Sequence, residues 1–174
     1  MLTREFSATK VKKALNQMYP LKSPGPDGMP PLFYQYFLHV VRDSVVNCVI
    51  NFLNTSVAPP NFHDTHIVLI PKVKSPTKVS EYRPISLSNV IYKLASKVLA
   101  NRLKTLIPSL ITENHTAFLL ERLITDNVLV AFEIMNSISQ KRSAKTGAMA
   151  LKLDMSKAFD RVEWSCLEKI MTKM

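Results

Sequence analysis

The chain has 174 residues, 47% of them hydrophobic, and a formal net charge of +10 at pH 7. This length and apolar content suffice for one domain with a sizeable core, and they exclude a disordered tail as the main interpretation. No apolar run reaches the roughly 18 residues of a membrane span, and the first residues lack the apolar segment of a signal peptide. Cys48 and Cys166 therefore indicate reduced thiols, so we expect an intracellular protein, nuclear or cytoplasmic, without a membrane partner.

The first part of the chain is predicted to form helices separated by a loop rich in proline and glycine. Residues 7–18 predict a short helix with Ser7 as its N-cap and Val11, Leu15 and Met18 on one face. The loop "LKSPGPDGMPP" follows, and its roles as a connector and as a binding element both stay open. The next segment, "LFYQYFLHVVRDSVVNCVINFLN", carries enough apolar residues for one long or two consecutive core helices.

The middle of the chain changes to β-branched sequence. Residues 64–71 and 83–87 are short apolar runs separated by a charged turn, which predicts two strands of a hairpin-like unit. From Ser88 a helix is predicted to run toward Pro108, and another to start at residue 125 or 126.

The positive charge is unevenly distributed along the sequence. Between residues 72 and 104 a single acid, Glu81, accompanies eight basic residues: Lys72, Lys74, Lys78, Arg83, Lys93, Lys97, Arg102 and Lys104. Contacts from such a cluster to phosphates release condensed counterions, so the cluster is typical of nucleic-acid binding. A solvated face of a strand and a helix would show the same composition, so both interpretations stay open.

Asp154 interrupts an apolar segment near the end of the sequence. Met149, Leu151 and Leu153 alternate with smaller or charged residues, which predicts a strand with Asp154 on the opposite face. A strand that ends in Asp, followed by a tight turn and by Asp160 opening a helix, offers a carboxylate to a divalent ion and N–H groups to phosphate. An Asp at this position is also typical of a turn or cap, so neither role is excluded.

Several motifs of the chain occur together in one known family. In chain order they are SPGPDG (23–28), IVLIPK (67–72), YRPISL (82–87), NRL (101–103), RLITDN (122–127) and LDMSKAFDRVEW (153–164). In order and approximate spacing they resemble the N-terminal part of the reverse transcriptase domain of a plant non-LTR (LINE-type) retrotransposon. Leu120 and Glu121 depart from this pattern, because relatives generally have Pro-Gly there.

The resemblance implies a fold class and a domain organisation. The fold would be α+β, an incomplete right-hand polymerase that is mostly helical, with a few fingers strands and one palm strand. Residues 1–60 would form a helical N-terminal extension with the SPGPDG loop, residues 61–146 the fingers, and residues 147–174 the start of the palm.

The resemblance also implies a metal site. Asp154 would be the first catalytic, metal-binding aspartate, and the carbonyl of Met155 a further ligand of Mg²⁺. The remaining metal-binding aspartates of the family lie in a YADD motif, which these residues do not contain. We therefore expect this chain by itself to bind Mg²⁺ poorly and to be inactive.

By the same resemblance, several residues would bind nucleotide or nucleic acid. The amides of Lys157 and Ala158 would meet the incoming triphosphate, which Lys72 and Arg83 would neutralise from the fingers. Phe159 would block the ribose 2′-hydroxyl that distinguishes RNA precursors. Residues expected to contact nucleic acid are Lys74, Lys78, Lys93, Lys97, Arg102, Lys104 and Arg122.

The implied partners of the complete enzyme are an RNA template, a DNA primer and deoxynucleoside triphosphates. Uncovered apolar surface predicts nonspecific self-association of the chain as it stands. Two alternatives are a noncatalytic nucleic-acid-binding remnant and a degenerate reading frame without function. A phosphotransferase with Asp154 as an isolated nucleophile is a more remote alternative.

Overall fold

The computed structural model describes residues 4–112, 114–115, 119, 122–140 and 149–173. These residues divide into two compact units, Met1–Thr112 and Glu113–Met174. The first unit contains helices α1 (Ala8–Asn16), α2 (Pro31–Tyr36), α3 (Leu38–Thr55), α4 (Val90–Leu103) and α5 (Ile107–Leu110), and strands β1 (Thr65–Pro71) and β2 (Tyr82–Ser88). The second contains α6 (Ile124–Gln140) and α7 (Trp164–Lys173). Leu120, Glu121 and Gly147 lie outside the described residues.

The core of the first unit forms where α1, α3 and α4 pack together. Val11 and Leu15 are buried on one face of α1, which confirms the face predicted from their spacing. The helix ends at Asn16, before the predicted residue 18, so the buried Met18 lies just after it. Leu94 and Val98 of α4 are 0% and 2% exposed. Since burying one such side chain contributes about 1.5–3 kcal/mol, this core is the main source of stability of the unit.

The apolar segment after the SPGPDG loop forms two consecutive helices, which is one of the two predicted arrangements. Pro30 precedes α2 and Pro31 is its first residue, where a missing backbone N–H costs nothing. Phe37, with φ −90° and ψ 18°, separates α2 from α3. Helix α3 packs into the core of the first unit through its valines, and Val45 and Val49 are among its buried residues.

Helix α4 is shorter than the helix predicted to run toward Pro108. It ends at Leu103, and the short helix α5 follows after a turn. Pro108 lacks the backbone N–H that would bond to the carbonyl of Lys104, and its ring would clash with that carbonyl. A continuous helix through Pro108 is therefore unfavourable.

Strands β1 and β2 form a two-stranded antiparallel sheet, which confirms the predicted hairpin-like unit. Pro71 pairs with Tyr82, so the connecting residues 72–81 lie at one end of the ribbon. Both of its faces are open, since Ile67 is 68% and Val68 42% exposed. An isolated ribbon of two strands is marginally stable, and here β2 leads directly into α4 and the core.

The strand predicted at residues 149–154 is wrong for this chain. The structure describes residues 149–155 without regular secondary structure, and Met149, Leu151 and Leu153 are 86%, 73% and 84% exposed. A strand requires hydrogen bonds to a neighbouring strand, and in the described residues the sheet contains only β1 and β2. The alternating pattern is present, but no described strand pairs with this segment.

The compact units divide the chain between Thr112 and Glu113. The predicted domains divide it at other places, after residues 60 and 146. A compact unit of this chain need not coincide with a domain of the complete enzyme. The predicted domains therefore remain a prediction. Within the described ranges, no helix is both long and apolar enough to cross a membrane.

Candidate functional site

The SPGPDG loop is held against the first turn of α4. Asn89 precedes α4, and its side-chain oxygen accepts a hydrogen bond from the backbone N–H of Asp27 at 3.2 Å. Lys93 Nζ, one turn further along, donates to the carbonyl of Ser23 at 2.8 Å. Gly25 is buried, and a Cβ there would overlap the backbone and side chain of Asn89. These contacts support the connector role of the loop, while a binding role stays a prediction.

Asp27 closes the end of the same loop. Its carboxylate accepts hydrogen bonds from the backbone N–H of Met29 at 3.1 Å and from the hydroxyl of Tyr34 at 3.4 Å. Burial, and after it the negative charge of Asp27, raises the pKa of Tyr34 to about 12. Tyr34 therefore stays a neutral hydrogen-bond donor at physiological pH.

Lys72 and Arg83, expected to contact the triphosphate, lie at the same end of the hairpin. Lys72 directly follows β1, and Arg83 is the second residue of β2, opposite Ile70. The backbone N–H of Lys72 donates to the carbonyl of Glu81 at 2.7 Å, and its Nζ donates to the carbonyl of Ser80 at 2.7 Å. The Arg83 side chain is exposed. The hairpin thus places both cations together, with Lys72 bonded to the connecting segment.

Glu81 holds the connecting segment in shape. Its carboxylate accepts hydrogen bonds from the backbone N–H groups of Thr77 at 2.6 Å and Lys78 at 3.1 Å. These bonds favour the charged form and so lower the pKa of Glu81. The carboxylate of the one acidic residue in the basic cluster is therefore hydrogen-bonded to backbone N–H groups. On the same segment, the side chains of Lys74 and Lys78 are exposed.

Asp154 is exposed and precedes a tight turn. In this turn Lys157 has a left-handed backbone with φ 53°, and its carbonyl accepts a hydrogen bond from the N–H of Asp160 at 3.0 Å. The helix expected to open at Asp160 begins later, as α7 at Trp164, and Asp160 lies in one 3₁₀ turn, Phe159–Arg161, followed by an extended Val162. Phe159 is 91% exposed. Lys157, Phe159 and Asp160 therefore belong to one short turn directly after Asp154.

The Asp154 region does not by itself fit a bound metal ion. A carboxylate and a backbone carbonyl are ligands that Mg²⁺ prefers, so Asp154 and Met155 have suitable chemistry. However, in the part of the chain that the structure describes, no group of three or more His, Cys, Asp or Glu side chains could hold a metal. One carboxylate is too few for the ions of phosphoryl transfer.

Three of the residues expected to contact nucleic acid lie on α4. They are Lys93, Lys97 and Arg102. The Arg102 guanidinium lies over the ring of Phe6, 3.3 Å from its centroid, and burial lowers the pKa of Arg102. This half-buried cation is therefore held by an aromatic ring from the segment before α1.

Besides Lys74 and Lys78 of the connecting segment, two further predicted contacts lie outside α4. Lys104 directly follows α4 and is exposed. Arg122 belongs to the second unit, where its guanidinium donates to the carbonyl of His115 at 2.5 Å. Six of the seven predicted nucleic-acid contacts therefore belong to the first unit, and Arg122 belongs to the second.

Sequence reasoning missed the cations of the N-terminal segment that lie beside α4. Arg4, Lys10 and Lys13 line one cavity together with Arg102. The spacing of Lys10 and Lys13 by three residues is the sequence signal, because it places both on one helix face. The sequence does not indicate that these lysines lie near Arg102, because α1 and α4 are far apart along the chain.

Comparison with known proteins identifies the family. Residues 70–174 match the family described as reverse transcriptase (RNA-dependent DNA polymerase). The chain is 29% identical over 162 residues to the transposon TX1 uncharacterized 149 kDa protein of Xenopus laevis, covering 93% of the chain and 12% of that protein. It is 27% identical over 143 residues to the retrovirus-related Pol polyprotein from type-1 retrotransposable element R2 of Nasonia vitripennis, covering 80% of the chain and 13% of the polyprotein. The chain thus spans a small part of the length of both relatives.

Because the family match covers more than half of its residues, the chain belongs to the reverse transcriptase (RNA-dependent DNA polymerase) family.

Proposed function

We propose that the chain forms the fingers and the first palm segment of an RNA-directed DNA polymerase from a plant non-LTR (LINE-type) retrotransposon, in a right-hand fold. The observation that carries the proposal is the family match over residues 70–174, which includes the hairpin end with Arg83 and the turn after Asp154. The two relatives support a non-LTR retrotransposon as the source, and the plant origin is proposed from the motif resemblance alone. The template would be RNA, the primer DNA, and the substrates deoxynucleoside triphosphates.

The proposed roles are those that the resemblance implies, and the chemistry and placement of the residues support them. Lys72 and Arg83 share one end of the hairpin, and two cations there would neutralise a triphosphate. The turn at Lys157 and Ala158 would offer backbone N–H groups to the same phosphates. Phe159 follows directly with an exposed ring, which would meet the ribose of the incoming nucleotide.

The isolated chain should not catalyse nucleotide addition. Asp154 is the one catalytic carboxylate that the resemblance assigns to these residues, and the described residues bring no metal-binding group of side chains together. Phosphoryl transfer is catalysed by positioning and charge stabilisation, which need the full set of charged groups. Catalysis is therefore proposed for the complete domain.

Nucleic-acid binding by the 174-residue chain provides a first test. We expect weak binding of single-stranded RNA with little sequence preference. With about four phosphate contacts, affinity should fall about 50-fold between about 50 and 200 mM salt. Fluorescence anisotropy with labelled RNA measures this directly. Binding that is unchanged by salt, or that survives replacement of Lys72, Lys74, Arg83 and Lys97 by Glu, would contradict the proposal.

The ring of Phe159 provides a second test, in a chain completed with the C-terminal part of a related reverse transcriptase. Phe159→Ala should raise incorporation of ribonucleotides relative to deoxynucleotides by about 10-fold or more, because an unhindered pocket accepts the 2′-hydroxyl. Single-nucleotide extension with each substrate measures the ratio. Val162→Ala, a truncation nearby in the same segment, is the control and should leave the ratio unchanged. An unchanged ratio in Phe159→Ala would remove this role from Phe159.

The noncatalytic alternative has one observation in its favour. The exposed lysines of the connecting segment, and Lys104 at the end of α4, would bind phosphate whether or not a catalytic site is complete. A completed chain that binds RNA but never extends a primer would favour this alternative.

A further inference from the structure

A line of positive charge follows the groove where α1 packs on α4. At one end lies a cavity of about 360 Å³, lined among others by Arg4, Lys10, Lys13 and Arg102. The lysines and Arg4 are exposed, Arg102 is half-buried, and the buried side chain of Val98 also lines the cavity. Among the described residues that line it, none is acidic. The cavity is therefore a concave, solvent-accessible site whose described charged lining residues are all cationic.

A second cavity of about 390 Å³ continues the groove. Its lining includes Lys22, Lys93 and Lys97, together with the rings of Tyr19 and Tyr92, and again none of the described lining residues is acidic. Tyr19 is 68% and Tyr92 37% exposed. Exposed aromatic rings between cations are typical of surfaces on which single-stranded bases stack.

Gln17 connects the two cavities, because it lines both. Its side-chain oxygen accepts a hydrogen bond from Asn101 of α4 at 2.8 Å. Lys10 and Lys13 lie beside the end of α4, whereas Lys22, which follows α1, lies beside its beginning. The two segments thus run in opposite directions, and we call the groove formed by both cavities the α1–α4 groove.

The length of the α1–α4 groove suits a nucleic-acid strand. From Lys93 to Arg102, α4 rises about 14 Å along its axis. An extended single strand lying along this length would place more than one phosphate beside the cationic side chains of the groove. A single inorganic phosphate would occupy only part of either cavity.

The charges at the second cavity repel one another. Burial first and then the positive charge of Lys22 lower the pKa of Lys93, whereas Asp27 opposes the shift. Lys93 also donates a hydrogen bond to the carbonyl of Ser23, so its position is fixed. A polyanion in the groove would relieve this repulsion, which a neutral ligand would not.

We propose that the α1–α4 groove binds the sugar–phosphate backbone of a single nucleic-acid strand, with Lys10, Lys13 and Lys22 as phosphate contacts and Tyr19 as a platform for a base. This inference rests on the proposed nucleic-acid binding and assigns it to a surface that includes the N-terminal helix. It adds residues outside the family match, which begins at residue 70.

The test compares two double variants of the 174-residue chain that change the charge equally. Lys10→Glu with Lys13→Glu alters the groove, whereas Lys12→Glu with Arg42→Glu alters exposed positions outside its lining. We expect the groove variant to bind labelled single-stranded RNA about tenfold or more weakly. The salt slope, which is the slope of log affinity against log salt concentration, should shrink in magnitude by about 1.4, or about 0.7 per lost contact. The control should lose no more than about twofold, and urea unfolding verifies that both variants stay folded. If the groove variant unfolds, Lys10→Gln with Lys13→Gln is compared by its salt slope instead.

The outcomes separate this inference from the proposed function. Equal weakening by both pairs, or an unchanged salt slope, would overturn the groove while leaving RNA binding in place. Absence of salt-dependent RNA binding in the unchanged chain would overturn the proposed function together with the groove. Competition by tripolyphosphate distinguishes a site for free phosphate from a site for a strand. Displacement of RNA by tripolyphosphate at an equal concentration of phosphate groups would overturn the assignment to a strand. Weak competition would support it.

Discussion

Replacing Asp154 by Asn in a chain completed with a related C-terminal part should lower primer extension by at least about 10³-fold. The substitution keeps the size of the side chain and removes its charge. Loss of one preorganised polar group from an active site costs about 10²–10³-fold in rate, and a charged group costs at least as much. Template binding should stay within about twofold, because Asp154 contributes no positive charge to the phosphate-binding surface.

Asp160→Asn is the matched control for this prediction. Asp160 is also an exposed carboxylate, six residues later in the 3₁₀ turn, and its removal changes the net charge equally. It should retain most of the extension activity. Equal loss of template binding and of extension in Asp154→Asn would indicate a structural Asp and would contradict the catalytic role.

Gly25→Ala should destabilise the first unit by about 1–3 kcal/mol, the usual cost of overpacking. The added Cβ would overlap the backbone N and side-chain Oδ1 of Asn89 and the carbonyl carbon of Ser88. Backbone atoms at the start of α4 cannot move aside as a flexible side chain does. The loop would therefore have to leave α4, with loss of the hydrogen bond from Asp27 to Asn89.

Gly28→Ala is the natural comparison within the same loop. Gly28 has φ +69°, and a Cβ there would meet no atom within 4 Å. Its substitution should cost only the strain of a left-handed backbone, about 1 kcal/mol. Urea unfolding of both variants gives the two free energies. A Gly25→Ala variant as stable as Gly28→Ala would show that the loop does not pack on α4 as described.

The elements that could be predicted from sequence are those fixed by short-range patterns. The apolar spacing of Val11 and Leu15 defines the buried face of α1 without reference to any other element. The β-branched run before Pro71 and the charged turn after it likewise define the hairpin. In each case the sequence signal itself lies within a short stretch of the chain.

The features that could not be predicted depend on distant residues. The apolar alternation at Leu151 and Leu153 predicts a strand, but a strand forms only beside a partner, and no described strand pairs with it. The docking of Gly25 on Asn89 joins residues far apart in sequence. The α1–α4 groove arises in the same way, because Lys13 and Arg102 meet only after the helices pack.

Primer extension on an RNA template is the measurement that tests the central claim most directly. The claim is that these residues are the fingers and first palm segment of an RNA-directed DNA polymerase. The completed chain should extend a DNA primer with deoxynucleotides when Mg²⁺ is supplied, and the 174-residue chain should not. Extension by the 174-residue chain alone, or none by a completed chain that folds cooperatively and binds RNA, would contradict the account.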